Sequence, residues 1–129
     1  MSALTEEGLR EIDELSKSSG DSFERSLEEL AKVEAKGEVQ EKIRSMAIDT
    51  EAHMLSLYKL ALLKAKKADD ADQIAKIWKG PLKVYEVGFT LVSNVIERGQ
   101  RHPDFLHLCE SLRKIRDHVR WIYELHGGK

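Results

Sequence analysis

The sequence contains few residues of the kinds that cross-link a chain or interrupt its helices. Of its 129 residues, one is cysteine and two are proline, and aromatic residues make up 6%. The single cysteine, Cys109, excludes a disulfide within the chain and fits a reducing compartment such as the cytoplasm. Because proline is scarce while Ala, Leu, Glu and Lys are abundant, the composition favours helices.

Neither an excess of one charge nor a long apolar run is present. The 21 basic and 23 acidic residues give a net charge of −2, so nucleic acid and anionic lipid are not expected as partners. Residues 1–20 lack the basic and apolar regions of a signal peptide. No run reaches the roughly eighteen apolar residues that a membrane span needs. We therefore expect a cytoplasmic protein with no membrane partner.

The length and composition predict one globular domain. With 41% hydrophobic and 34% charged residues over 129 positions, the chain is long enough to bury a core of its own. We expect residues 1–129 to form a single helical-bundle domain. Within it, residues 1–36 are a helical extension that either docks on the bundle or extends from it.

The most apolar stretch, residues 46–63, is predicted to be the middle of a helix over about residues 38–67. The helical repeat places one line of apolar and small side chains along this helix, namely Val39, Ile43, Met46, Thr50, Met54, Leu57 and Ala61. A second line at seven-residue spacing, Ile48, Leu55 and Leu62, lies nearly opposite. Apolar residues on both sides are typical of a helix that is covered from two directions.

Two shorter helices are predicted before the central one, over residues 5–17 and 21–36. Residues 18–20, Ser-Ser-Gly, separate them because serine and glycine are typical of loops. Asp21 followed three residues later by Glu24 resembles a capping box, which marks the start of a helix.

A third long segment follows the central helix over about residues 70–98. Gly80-Pro81 is expected to kink or break it, because glycine disfavours a helix interior and proline suits the first position of a new helix. Residues 81–98 also alternate in the manner of a strand. Since they equally keep a three-four spacing, and no other strand is present for pairing, a helix is favoured.

The last helix is predicted to begin at Pro103 and to end at Gly127-Gly128. Its apolar residues form the clearest single stripe in the chain, made of Phe105, Leu108, Leu112, Ile115, Val119 and Ile122. The sequence therefore predicts an all-α, up-and-down bundle of three long helices, one of them kinked or broken at Gly80-Pro81, plus a short N-terminal helix pair.

Some histidine, cysteine and acidic residues have spacings that suggest a metal site. His107 and His118 share one side of the last helix, near Cys109. Eleven residues at 1.5 Å each separate the two histidines by about 16 Å, which is too far for one ion. Asp49 and His53, four residues apart on the central helix, make only half a site. No metal or cofactor is predicted.

Arg113 followed by His118 fits the R-x4-6-H spacing of the HEPN ribonucleases. In these two residues the chain resembles that family of small all-α bundles, whose motif lies on a late helix. The same spacing recurs at two other Arg-His pairs of the chain. Lys114 stands where the family favours a polar residue such as Asn. The resemblance implies a ribonuclease in which Arg113 and His118 are the catalytic residues.

The favoured function is non-enzymatic. Ile48, Leu55 and Leu62, with Tyr58 near the same side, have the heptad-like spacing of a helix that packs on another helix. If the thinly apolar N-terminal helices leave this line uncovered, it is available to a second copy of the chain or to a partner helix. Otherwise it is part of the monomer's own core. We expect a protein–protein interaction or adaptor domain that forms a homodimer, with the ribonuclease as the alternative.

Overall fold

A computed structural model describes residues 6–31 and 40–129 of the chain. They form four helices, α1 (Glu6–Ala31), α2 (Gln40–Ala65), α3 (Ala71–Glu97) and α4 (Pro103–Leu125). Within these residues no strand occurs, so the all-α prediction is confirmed, including the helix favoured for residues 81–98. None of the four described helices has the apolar character needed to cross a membrane.

The prediction of a break at residues 18–20 is wrong, because α1 runs through them as one helix. Serine and glycine in a helix interior cost at most about 1 kcal/mol each relative to alanine. Phe23 and Leu27, one helical turn apart, are buried in the core, and burying two large side chains outweighs that cost. Asp21 and Glu24 are therefore exposed residues inside α1.

A few predicted features lie outside the described part of the chain. These are the end of the second short helix near residue 36, the start of the central helix near residue 38, Val39 and the side chain of Ile43.

A break at Gly80-Pro81 is also contradicted, because α3 continues through this pair as one helix of 27 residues. A proline ring clashes with the Cβ of the residue before it when that residue is helical. Gly80 has no Cβ, so it can adopt helical backbone angles directly before Pro81. Trp78 and Tyr85, on either side of the pair, are buried in the same core, and their burial favours one continuous helix. A kink at this pair, the other predicted alternative, stays a prediction.

The four helices run alternately up and down and pack as two antiparallel hairpins, α1 with α2 and α3 with α4. The hairpins then pack on each other, so that α1 lies beside α3 and α2 lies beside α4. Helices α2 and α3 meet across the short diagonal. Among the described residues, α1 and α4 do not approach each other, because they lie at opposite ends of the long diagonal.

The core lies where the two hairpins meet, and Tyr85 is at its centre. Its ring contacts Phe23 edge-on, with 5.8 Å between the ring centroids, and its hydroxyl donates a hydrogen bond of 2.9 Å to the Met54 carbonyl. One side chain of α3 therefore joins α1 and α2. Burial raises the pKa of Tyr85 above its ordinary value, with a smaller effect from the Tyr58 hydroxyl.

The two predicted apolar stripes point into this core. Of the α4 stripe, Phe105, Leu108, Leu112 and Val119 are buried, and Ile115 and Ile122 pack against the buried cluster. On α2, the buried members are Thr50, Met54, Leu57 and Ala61. The hydroxyl of Thr50 donates to the Met46 carbonyl one turn earlier, so this polar group is satisfied inside the helix.

Candidate functional site

Three sets of polar contacts join α2 to α4. At one end, Arg44 lies 3.9 Å from the Asp104 carboxylate. One step further along, the Glu51 carboxylate accepts a hydrogen bond of 3.2 Å from the Ser111 hydroxyl. The contacts rise in the same order along both helices, so α2 and α4 run parallel. We call this line of contacts the α2–α4 seam.

The third contact of the seam links Tyr58 to His118. The Tyr58 hydroxyl and the Nε2 atom of His118 are 3.0 Å apart, and the two rings are in tilted contact. Arg44, Glu51 and Tyr58 are seven residues apart, which is nearly two helical turns, so they share one side of α2.

The residues predicted to contact a partner lie in the seam or beside it, and the structure divides them into two kinds. Ile48 and Leu55 are 53% and 43% exposed. Ile48 precedes Glu51 of the seam by three residues, and Leu55 precedes Tyr58 by three residues. Each therefore lies about 60° around α2 from its seam residue. Tyr58 and Leu62 are half-buried and pack against the core. The predicted line is therefore partly covered within the monomer and partly open.

Helix α4 adds two exposed apolar side chains on the same side of the molecule. Trp121 stacks on the His118 ring, with 6.1 Å between the ring centroids, and is 59% exposed. Leu125, seven residues after His118 and so on nearly the same side of α4, is 62% exposed. Together with Ile48 and Leu55 they define what we call the α2–α4 face.

The aromatic residues behind this face form a continuous series from the core to the surface. Buried Trp78 contacts the Tyr58 ring at 5.3 Å, Tyr58 contacts His118, and His118 contacts Trp121. The exposed tryptophan is thus supported from beneath by side chains of three helices. Such support reduces the side-chain entropy that a binding partner would have to remove.

Arg113 and His118, the residues of the ribonuclease hypothesis, leave α4 in different directions. Five residues advance about 140° around a helix. The Arg113 guanidinium donates a hydrogen bond of 3.1 Å to Glu110 and lies 3.5 Å from Asp117. The bond from Arg113 lowers the pKa of Glu110, and the same bond raises the pKa of Arg113. Ribonuclease activity stays a prediction.

The residues considered as metal ligands are held by other partners. His107 lies 3.4 Å from the Glu51 carboxylate, and the Cys109 sulfur lies 3.5 Å from the Ser93 hydroxyl. Over residues 6–31 and 40–129, no group of three or more His, Cys, Asp or Glu side chains converges.

His53 contacts a residue that its spacing from Asp49 did not suggest. Its Nδ1 atom is 2.9 Å from the Ser26 hydroxyl, across the α1–α2 contact. A serine beside a histidine is an arrangement used for nucleophilic catalysis. Here both residues lie in helix interiors, where backbone N–H groups bond to carbonyls of their own helix. The contact joins α1 to α2.

Sequence patterns located half of the α2–α4 face. The heptad spacing identified Ile48 and Leu55. Trp121 and Leu125 were missed because they lie off the apolar stripe of α4, and only the pairing of α4 with α2 brings them beside the exposed residues of α2. No protein-family model, curated protein or solved structure shows significant similarity to the chain. A proposal for its function therefore depends on the geometry of the chain's own residues.

Proposed function

We propose that the protein is a cytoplasmic, non-enzymatic interaction domain of the adaptor type that forms a homodimer through the α2–α4 face. The observation that carries this proposal is the grouping of four exposed large apolar side chains, Ile48, Leu55, Trp121 and Leu125, on one side of the bundle. Monomeric proteins rarely expose large contiguous apolar patches, and interfaces are enriched in tryptophan.

A second copy is the partner that the spacing favours. A two-fold dimer uses the same patch twice. With the two α2 helices antiparallel and Leu55 near the axis, Ile48 of one copy would stand level with Leu62 of the other, since both are seven residues from Leu55. The seven-residue interval is the one at which helices pack along a shared seam.

The charges of α4 favour a protein partner over nucleic acid. Arg113, Arg116 and Arg120 each lie within 4.0 Å of a carboxylate of the same chain. Their charge is therefore largely balanced before any partner arrives, which weakens attraction to phosphate groups. The free thiol of half-buried Cys109 is compatible with a cytoplasmic location.

Sedimentation velocity over a series from low to high micromolar concentration tests the proposal. The wild type is expected to sediment as a dimer at the upper end. Leu55→Asp and Trp121→Ala are each expected to weaken dimerisation by tenfold or more, about 1.4 kcal/mol, because each removes an apolar contact from the centre of the face.

The matched control is Val87→Asp, because Val87 is 49% exposed on α3, outside the α2–α4 face. It is expected to leave dimerisation unchanged. Circular dichroism of all variants checks that they are folded, since each replaced side chain is about half exposed. A wild type that remains monomeric at high micromolar concentration would overturn the proposal.

A further inference from the structure

A groove runs between the parallel helices α1 and α3, on a different side of the molecule from the α2–α4 face. It consists of two adjoining clefts of about 350 and 340 Å³ that share Glu24 and Val84 in their walls. We call it the α1–α3 groove. Its volume falls in the range in which small ligands or side chains of a partner are bound.

The floor of the groove is mainly an apolar stripe on α3, and Leu57 and Ala61 of α2 add to it in the first cleft. Ile77, Val84, Val87 and Leu91 are separated by seven, three and four residues, so they follow one side of the helix. Leu27 of α1 adds to this floor in the second cleft. Val87 is half exposed, and the other three α3 residues are partly buried. Fourteen residues from Ile77 to Leu91 span about 21 Å, or four helical turns.

Two glycines and a proline widen one end of the groove. Around Gly20 and Gly80 no atom lies within 4 Å of the position that a Cβ would occupy. Pro81 has no N–H group, so the Ile77 carbonyl lacks its usual helical hydrogen bond. This end therefore offers space beside a carbonyl that Pro81 leaves without its usual helical donor.

The α1 side of the groove is acidic and its carboxylates are unpaired. Asp21, Glu24 and Glu28 are exposed, and none of them has an ion pair or a side-chain hydrogen bond with another residue in the described part of the chain. Elsewhere among residues 6–31 and 40–129, six carboxylates lie within 4.0 Å of a basic nitrogen, those of Glu51, Asp72, Glu86, Asp104, Glu110 and Asp117.

Positive charges at the edges of the groove restrict where a basic partner can lie. Lys17 and Lys64 stand at the wide end, and Lys83 stands on the α3 side. A partner with cations on both flanks would therefore meet like charge on the α3 side. A partner with cations only on the flank toward α1 would meet Asp21, Glu24 and Glu28.

We infer that the α1–α3 groove docks an amphipathic helix of another polypeptide, about four turns long, with its apolar side on the floor and lysine or arginine side chains toward Asp21, Glu24 and Glu28. The three-four spacing of the floor matches the spacing at which a docked helix presents its anchors. The inference uses surfaces separate from the α2–α4 face and does not rest on dimerisation.

The test uses a fluorescein-labelled synthetic peptide of about eighteen residues, or five turns. It carries leucines at three-four spacing, lysines along one flank and glutamines elsewhere. A second peptide has glutamate in place of every lysine. Fluorescence anisotropy with the full chain is expected to show binding of the lysine peptide, at least tenfold tighter than the glutamate peptide.

Variants of the groove sharpen the test. Val87→Asp is expected to weaken binding of the lysine peptide about tenfold or more. The double variant Glu24→Lys/Glu28→Lys is expected to weaken the lysine peptide by about tenfold and to strengthen the glutamate peptide. The matched control is Leu106→Asp on α4, where the side chain is 42% exposed outside the groove; it is expected to change neither affinity.

Three outcomes would overturn the inference. The first is equal binding of the two peptides to the wild type, and the second is unchanged binding by Val87→Asp. The third is loss of self-association in Val87→Asp, which would make a second copy the occupant of the groove. Leu55→Asp separates the two proposals, because it is expected to weaken dimerisation by tenfold or more while leaving peptide binding intact.

Discussion

Two pairs of parallel helices, α2 with α4 and α1 with α3, hold the two hairpins of the bundle together. The two pairs differ in the kind of contact between their helices. Along the α2–α4 seam, side chains at seven-residue intervals form hydrogen bonds and ion pairs across the gap. Between α1 and α3, the contacts are apolar. Leu27 packs over Gly88, where an added Cβ would stand 3.1 Å from a leucine methyl, and Phe23 packs against Tyr85.

This difference explains why each side exposes a different surface. Along the α2–α4 seam, polar side chains bridge the two helices, and the exposed apolar residues of that side lie beside these contacts. In the α1–α3 pair, the missing Cβ of Gly88 lets Leu27 of α1 pack close to α3. Gly20 and Gly80 leave the remainder open as a groove. The exposed α2–α4 face favours association with the surface of another protein, whereas the open α1–α3 groove favours insertion of a helix.

The largest loss of stability is expected from removing the buried ring of Phe23, which holds α1 in the core. Phe23→Ala deletes a fully buried ring that contacts Tyr85 and is expected to lower the free energy of unfolding by about 3–5 kcal/mol. Urea denaturation followed by circular dichroism measures this value. Native-state hydrogen exchange is expected to show the greatest loss of protection in α1, since few other buried side chains are described there.

The control for this variant is Phe105→Ala, which removes an equally buried ring from α4. Its cost is expected to be similar, but the loss of protection should centre on α4. A cost of less than about 1 kcal/mol for Phe23→Ala would show that α1 is not held by apolar burial, and the comparison of the two helix pairs would fail.

A smaller effect is expected at Tyr85, which lies between the two helix pairs. Tyr85→Phe keeps the ring but removes the hydrogen bond to the Met54 carbonyl. The free energy of unfolding is expected to fall by about 0.5–1.5 kcal/mol near neutral pH.

The same residue predicts a pH dependence. Burial raises the pKa of Tyr85 in the folded protein, whereas a tyrosine in the unfolded chain ionises near pH 10. The contribution of Tyr85 is therefore complete below about pH 10 and declines as the pH rises above it, because the unfolded state then loses a proton that the folded state keeps. Thermal melts at about pH 9 and pH 11 should show a larger loss for the wild type than for Tyr85→Phe. Equal losses would contradict this assignment.

Much of the fold follows from the spacing of apolar residues. The wrong predictions arise where serine, glycine and proline are taken as signals that a helix ends. The stripes of α2 and α4 point into the core as predicted. The break expected at residues 18–20 does not occur, and of the kink or break expected at Gly80-Pro81 the break does not occur. Local costs of order 1–3 kcal/mol are smaller than the gain from burying large apolar side chains nearby. Trp78 and Tyr85 are seven residues apart across the glycine and proline, so a continuous helical repeat was visible in the sequence.

The binding surfaces were harder to predict because they depend on which helices become neighbours. Heptad spacing identified Ile48 and Leu55 on α2, but nothing local shows that Trp121 of α4 lies on the same side. The α1–α3 groove was not predicted at all. It requires the parallel packing of α1 on α3, which places the carboxylates of one helix beside the apolar stripe of the other.

The smallest loss of stability is expected for a substitution in the α2–α4 seam, where the contact between Tyr58 and His118 is exposed to water. Tyr58→Phe removes the hydroxyl that bonds to His118, and the expected cost is below about 1 kcal/mol because water replaces the lost partner. Tyr123→Phe is the control, since its exposed hydroxyl donates to the Lys129 carbonyl outside the seam. Urea denaturation should give similar small values for both variants. A cost for Tyr58→Phe equal to that of buried Tyr85→Phe would mean that the polar seam, like the apolar contact of α1 with α3, is a main source of stability.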